Sequence, residues 1–464
     1  MSALAPKLAV ARAVGGLARA AGRGGGTSLP GKLLMRLDPH AIRALAGRLP
    51  QGSVAISATN GKTTTAAMVA AILERGGTRL VHNRAGANMA GGIASTLLEA
   101  ARGGGIDGEL GLFEVDEFWL PQLAEELQPR AVLLSNLFRD QLDRYGELET
   151  IAERWAEVVA ALPADTRLVL NADDPLVADL GRERAHVTTF GVEDDAMAQP
   201  QMQHAADSKH CRRCGHAYEY DAIYLGHLGR YRCPQCGRHR PEPDVVAEHV
   251  RLNGTRDAAF TLRIRGGAEE HSATVALPLP GLYNVYNALG AAALCHALGV
   301  PFEQIVAGLG AVEAAFGRAE TIELDGRPLS ILLIKNPAGA NEVLRTLALE
   351  DGVGGNSIDL LAVLNDNTAD GRDVSWVWDA DFELLAGRVR RITCAGTRAA
   401  ELAVRLKYAG VEPERLVVVP ELADALDAAH ADGEGPLYAL PTYTALLALR
   451  ELLAQRGAAP EYWR

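Results

Sequence analysis

The 464-residue chain is expected to be an α/β protein in two parts. A central domain built on a phosphate-binding loop carries an inserted zinc ribbon, and a Rossmann-like α/β domain follows. Three observations carry this expectation. A short apolar run, Val54-Ala55-Ile56, turns through Ala58-Thr59-Asn60-Gly61-Lys62-Thr63-Thr64-Thr65 into a helical pattern over residues 66–73. Beyond it, apolar strands alternate with helical stretches, which argues for a parallel or mostly parallel sheet. Four of the six cysteines stand as Cys211-x2-Cys214-x18-Cys233-x2-Cys236.

Residues 1–48 read as an N-terminal helical segment with a glycine-rich turn, Gly22 to Gly26, and Pro30-Gly31 before a second helix. The stretch from Lys7 to Arg23 is rich in Arg, Ala and Gly and is amphipathic. It lacks the apolar core and cleavage site of a secretory signal, and a membrane-surface role for it stays open. No run of about 18 apolar residues occurs, so no membrane span is expected. A cytoplasmic enzyme is the default. Net charge is −12, which argues against a large nonspecific nucleic-acid surface. Among only six lysines, Lys62 and Lys335 stand out.

The central domain is assigned to residues 49–317. A strand turning tightly into a helix start aims unpaired backbone N–H groups and a positive dipole end outward, which suits a polyphosphate. Thr59, Asn60, Gly61, Lys62, Thr63 and Thr64 are the candidate phosphate-binding residues. Lys62 can neutralise terminal phosphates, and the Thr63 hydroxyl is placed for Mg²⁺. The usual leading glycine of such loops is replaced by Ile56. Strands are expected at 110–115, 131–135 and 168–171. The first ends in Glu114-Val115-Asp116-Glu117, at the edge where α/β sheets present ligands. Mg²⁺ takes hard oxygen ligands, so Glu114 is the candidate to complete its shell with Thr63.

The cysteine pairs, each followed by a glycine, have the spacing of two metal knuckles, and the ribbon is assigned to 205–241. Four thiolates leave the metal no open position, so a structural Zn²⁺ is expected. β-rich sequence resumes over 251–279, and a helix is expected from Asn284 to Leu298. A second α/β domain is assigned to 318–464, with strands at 331–334, 360–364 and 417–419. Cys295 reads as a buried core thiol and Cys394 as a strand-end thiol.

Several segments together resemble the Mur ligase superfamily, whose members activate a carboxylate with ATP. They are the Thr59–Thr64 loop, Asp140-Gln141-Leu142-Asp143-Arg144-Tyr145-Gly146, Asn171-Ala172-Asp173-Asp174-Pro175, Gly281 to Ala288, and Phe316-Gly317-Arg318. The resemblance implies that Asn284 and Asn287 approach adenine and Arg318 the phosphates. Three departures narrow the choice. Gln141 replaces the histidine of the amino-acid-adding ligases, no lysine lies between Lys62 and Lys209, and only about 55 residues precede the loop. The ribbon, Lys335 to Glu342, Asn365 to Trp376, and Pro441 to Ala445 resemble the MurT-type subunits of lipid II isoglutaminyl synthases.

That resemblance implies ATP-dependent amidation of the D-glutamate α-carboxylate of lipid II through an acyl phosphate, at the inner face of the cell membrane. Ammonia is mostly ammonium at neutral pH, and enzymes commonly release it from glutamine with a cysteine nucleophile. This chain offers none, so a separate class I glutamine amidotransferase subunit is expected in a heterodimer. Asp366 would hold the ribose. Asp370 or Asp373 would orient a partner histidine, and the choice between them stays open. The alternatives are an amino-acid-adding or folylpolyglutamate-synthetase-like ligase, and a zinc-ribbon ATPase acting on nucleic acid.

Overall fold

The computed structural model describes all residues except 1–3, 21–27, 85–86, 141–147, 204–205, 266–269, 313–317, 351–357, 432, 434 and 460–464. The expectations for Gln141 to Gly146, for the first ribbon residue and for Phe316-Gly317 lie outside the described residues, as does the side chain of Arg318.

Among the described residues the first sheet has nine strands, and Ser53–Ser57 sits deep inside it. That strand runs parallel to Leu110–Glu114 on one side and to Ala131–Leu134 on the other. Arg167–Asn171, Val187–Val192 and Val245–Asn253 continue the parallel order outward. The last two strands, Asp257–Ile264 and His271–Leu277, are antiparallel. Asp257–Ile264 alternates buried and partly exposed residues between its two faces, as expected of a sheet edge with one solvated side. The inner strands are buried on both faces, which is why they read as unbroken apolar runs.

Two apolar layers flank this sheet. On one face, helices Lys62–Arg75 and Leu282–Ala297 pack together. On the other, the N-terminal helices contribute Leu4, Leu8, Leu34, Ile42 and Leu45 to the same core as Ile93, Phe113 and Trp155. The segment before residue 49 therefore completes the central layer. Gly31 allows this closeness, since a Cβ there would stand 1.9 Å from the Gly91 carbonyl oxygen.

The second sheet has six strands among the described residues, and every pairing is parallel except that of Arg318–Leu324 with Arg327–Leu332. The strand expected at 331–334 lies at 327–332 instead. The hairpin turn sets its start: Asp325 and Gly326 both take positive φ, 48° and 80°, closing the two-residue connection. The strands at 358–363 and 416–418 fall within two residues of expectation.

Candidate nucleotide site and sulfur cluster

The phosphate loop follows from the burial of Ser53–Ser57, whose carboxyl end opens beside two parallel neighbours. Gly61 has φ +87°, and a Cβ there would meet Asn287 Oδ1 at 1.9 Å. No other residue fits, because both the dihedral and the neighbour forbid a side chain. Asn136, at the end of the next strand, clamps the loop: its Oδ1 accepts from the Asn60 N–H (2.9 Å) and its Nδ2 donates to the Asn60 carbonyl (3.0 Å). Helix Lys62–Arg75 takes no side-chain cap from the described residues and has no acid in its first turn. Its first N–H groups thus remain available to an anion.

Carboxylates face this helix start. Glu114 ends its strand with its backbone held twice by Asn83, through N–H to Oδ1 (2.9 Å) and Nδ2 to carbonyl (2.8 Å). Asn88 Nδ2 donates to Glu114 Oε1 at 3.2 Å. Lys62 Nζ donates to Glu117 Oε2 at 2.7 Å, and both side chains are buried. Desolvation opposes the charge on Lys62, but Glu117 and Asp116 outweigh it and raise its pKa. Desolvation likewise opposes the Glu117 charge, and Lys62 overcomes it, holding the carboxyl below its ordinary range. Asp116 is pushed up by burial and by the Glu117 charge. Thr63 and Glu114 line the same cleft, so the hard oxygen donors expected for Mg²⁺ share one space. Asn83 and Asn88 were not singled out from sequence. The only signal for Asn83 was its place just after a short strand, Leu80–His82.

The cleft holds about 790 Å³ between the two domains. Lys335 crosses it from the C-terminal domain, donating to Asp140 Oδ2 (2.6 Å) and to the Thr59 carbonyl (3.3 Å). Asn336 and Asn60 exchange amide hydrogen bonds at 3.0 and 3.4 Å, while Asn336 Oδ1 also caps helix Pro337–Ala348. Asn284 and Asn287 both line the cleft and bond to each other at 3.0 Å. Asn287 also accepts from Thr65 Oγ1 (3.3 Å), which seats it against the phosphate loop.

The acids of the 365–376 segment separate. Asp366 accepts from Thr397 Oγ1 (2.7 Å) and Arg398 Nε (2.8 Å), which lower its pKa, and it is not among the cleft-lining residues. Asp370 is buried and accepts from the Thr444 N–H (2.7 Å) and hydroxyl (2.5 Å), at the start of helix Tyr443–Gln455. Asp373 is exposed, and the Ser375 hydroxyl and N–H hold its carboxyl below the usual range.

The four ribbon cysteines bring their Sγ atoms within 4.8 Å of one another. Cys211 and Cys236 lie 3.6 Å apart and Cys214 and Cys233 3.4 Å apart, too far for S–S bonds. Gly215 and Gly237 take φ of 73° and 75° and return their N–H groups to the Cys211 and Cys233 carbonyls. Four converging sulfurs on two knuckles fit a tetrahedral zinc site. Cys295 and Cys394 are buried, and burial raises both thiols, Cys394 to about 12.

The Mur ligase middle domain matches residues 56–233, and the MurT ligase C-terminal domain matches residues 333–446. Over 429 residues the chain is 33% identical to the Staphylococcus aureus (strain N315) protein named lipid II isoglutaminyl synthase (glutamine-hydrolyzing) subunit MurT. The match spans 92% of this chain and 93% of that one. The chain belongs to the MurT family. It is thereby a Mur-type ligase subunit, and the expected superfamily and α/β fold hold. The solved pseudomurein peptide ligase type C from Methanothermus fervidus shares the fold, with a TM-score of 0.65 at 22% identity over 89% of this chain and 80% of that one. So does the MurF ligase from Thermotoga maritima, solved with ADP, with a TM-score of 0.62 at 15% identity over 90% and 84%. No described helix of this MurT-family chain is long and apolar enough to cross a membrane.

Proposed function

We propose that this chain is the ATP-using subunit of a lipid II isoglutaminyl synthase, acting in the cytoplasm at the inner membrane face. The observation that carries the reading is the cleft itself: a helix start that no described side chain caps and Lys62 on one wall, Glu114 on the sheet edge, and Lys335 reaching across from the MurT-type domain. A carboxylate oxygen of the D-glutamate residue attacks the γ-phosphorus of ATP, the bond to the β-phosphate oxygen breaks, and ADP leaves. Ammonia then attacks the acyl carbon, the C–O bond to phosphate breaks, and the nitrogen loses a proton to give the amide. Lys62 and the loop N–H groups stabilise charge on the transferring phosphoryl group. Thr63 and Glu114 would hold Mg²⁺, which would supply further neutralisation of the phosphates. Zn²⁺ on the four cysteines is structural.

Nitrogen comes from a partner glutaminase of the class I amidotransferase type. The high thiol pKa values of Cys295 and Cys394 support this, because neither offers a thiolate near neutral pH. Of the two candidate shared acids, exposure favours Asp373, since Asp370 has both oxygens committed to Thr444. Amidation of lipid II is assayed with the chain alone given ATP and ammonium, and with the reconstituted pair given glutamine. Turnover in the first and stimulation in the second support the reading; glutamine use by the chain alone refutes it.

A further inference from the structure

The ribbon hairpin, Glu219–Leu225 and Leu228–Arg232, forms a two-stranded sheet of its own. Its register shifts at Leu228/Gly229 and again at Arg230/Tyr231. A free two-stranded hairpin is marginal in water, so this one needs holding at its ends. At the base, Cys233 directly follows the second strand and Cys214 stands shortly before the first, so the sulfur cluster clamps the two legs together.

The far end is sunk in the molecule. Leu225 and Leu228 are buried and line the nucleotide cleft. Between them, His227 is fully buried with its ring 4.6 Å from that of Phe138. Gly226 takes φ +58°, and a Cβ there would stand 2.8 Å from the same ring. Phe138 in turn donates its N–H to Thr59 Oγ1 at 3.0 Å, inside the phosphate loop. The Tyr224 carbonyl accepts from Arg345 of the C-terminal domain at 3.0 Å. The hairpin tip thus lines the cleft and touches the opposite domain, and it meets the loop through Phe138. Leu225 and Leu228 join Leu279, Tyr283, Ala338 and Val343 as apolar lining, while Lys62, Glu114 and Lys335 are among the charged lining residues and Glu342 stands beside Val343.

We propose that the hairpin tip is the apolar wall against which the nucleotide base rests, and that metal loading of the ribbon sets the affinity of the cleft for the nucleotide. This rests on the ATP reading above. Loss of the clamp removes what orders a hairpin with two register breaks, and Leu225 and Leu228 leave the cleft with it. Affinity for the phosphates, made by Lys62 and the helix start, is untouched.

The test uses the zinc-loaded full chain, a fluorescent ATP analogue with Mg²⁺, and tripolyphosphate as a base-free probe. Replacing Leu225→Ser and Leu228→Ser together, with all four cysteines kept, is expected to weaken ATP binding about tenfold or more while tripolyphosphate affinity stays within about twofold. Chelation of the wild-type chain should give the same loss, reversed by added Zn²⁺, with a thermal melt recorded alongside. If chelation unfolds the chain outright, the double variant decides. ATP affinity indifferent to both the variant and chelation overturns the proposal, as does an equal loss for tripolyphosphate. A zinc-loaded wild-type chain that binds no ATP overturns the nucleotide reading as well, so the two failures are told apart.

Discussion

Two acidic trios sit near the carboxyl ends of parallel strands, Glu114/Asp116/Glu117 in the central domain and Asp366/Asp370/Asp373 in the C-terminal one, and their surroundings are opposite. The first trio is buried throughout, at 3, 8 and 4% exposure, around the ammonium of Lys62. The second is spread out: one acid paired with Arg398, one capping a helix, one exposed. A compact buried trio with a cation concentrates field where phosphates would carry charge. A dispersed trio ties two of its acids to Arg398 and Thr444 and leaves the third, held by Ser375, at the surface.

The contrast is most severely tested at Lys62. Lys62→Met leaves Glu117 buried without its cation, which should cost about 3–5 kcal/mol. It should also lower amidation by about 10²–10³-fold. A urea midpoint and a rate unchanged from wild type would show that the pair contributes nothing. Next is Asp373→Asn. As an exposed residue it should leave the midpoint within about 0.5 kcal/mol of wild type. Glutamine hydrolysis by the reconstituted pair should nevertheless fall about 10²-fold, with ammonium-driven amidation preserved. Full hydrolysis in that variant removes Asp373 from any shared triad.

Asp370→Asn should behave the other way round. Its two acceptor bonds at the start of Tyr443–Gln455 are worth about 1 kcal/mol, as for other helix caps, and the thermal midpoint should drop accordingly. The smallest effect is in pH dependence. Glu117 has a folded pKa below its ordinary 4.5, so its contribution is complete above 4.5 and is lost as pH falls through the folded value. Lys62, raised above 10.5, contributes fully below that value and loses its share as pH rises through the folded one. The stability gap between wild type and a Lys62→Met, Glu117→Gln double variant should therefore be flat from roughly pH 5 to 9 and narrow in stronger acid. A gap that narrows near neutrality would contradict the pairing.

Much of the architecture was legible in the chain. The loop from Thr59 to Thr64, the cysteine pairs and the strands ending at Glu114 and Leu134 are legible within a residue or two, because each depends on neighbours a few positions apart. The strand at 327–332 was misjudged by a few residues because its start depends on a turn through Asp325 and Gly326, where a non-glycine residue takes positive φ. Asp370 and Asp373 were inseparable on paper. Both are acids in one polar loop, and only the position of Thr444, 74 residues away, distinguishes them.

Local spacing thus suffices for the loop, the helix it opens and the metal knuckles, since backbone dihedrals and side-chain periodicity act over a turn or a strand. Which charges face each other is another matter. Lys62 meets Glu117 across 55 residues and Lys335 meets Asp140 across 195. The ribbon tip enters the cleft only because the hairpin folds back over Phe138. Strand order and domain docking set such meetings, and neither is encoded in any short stretch of residues.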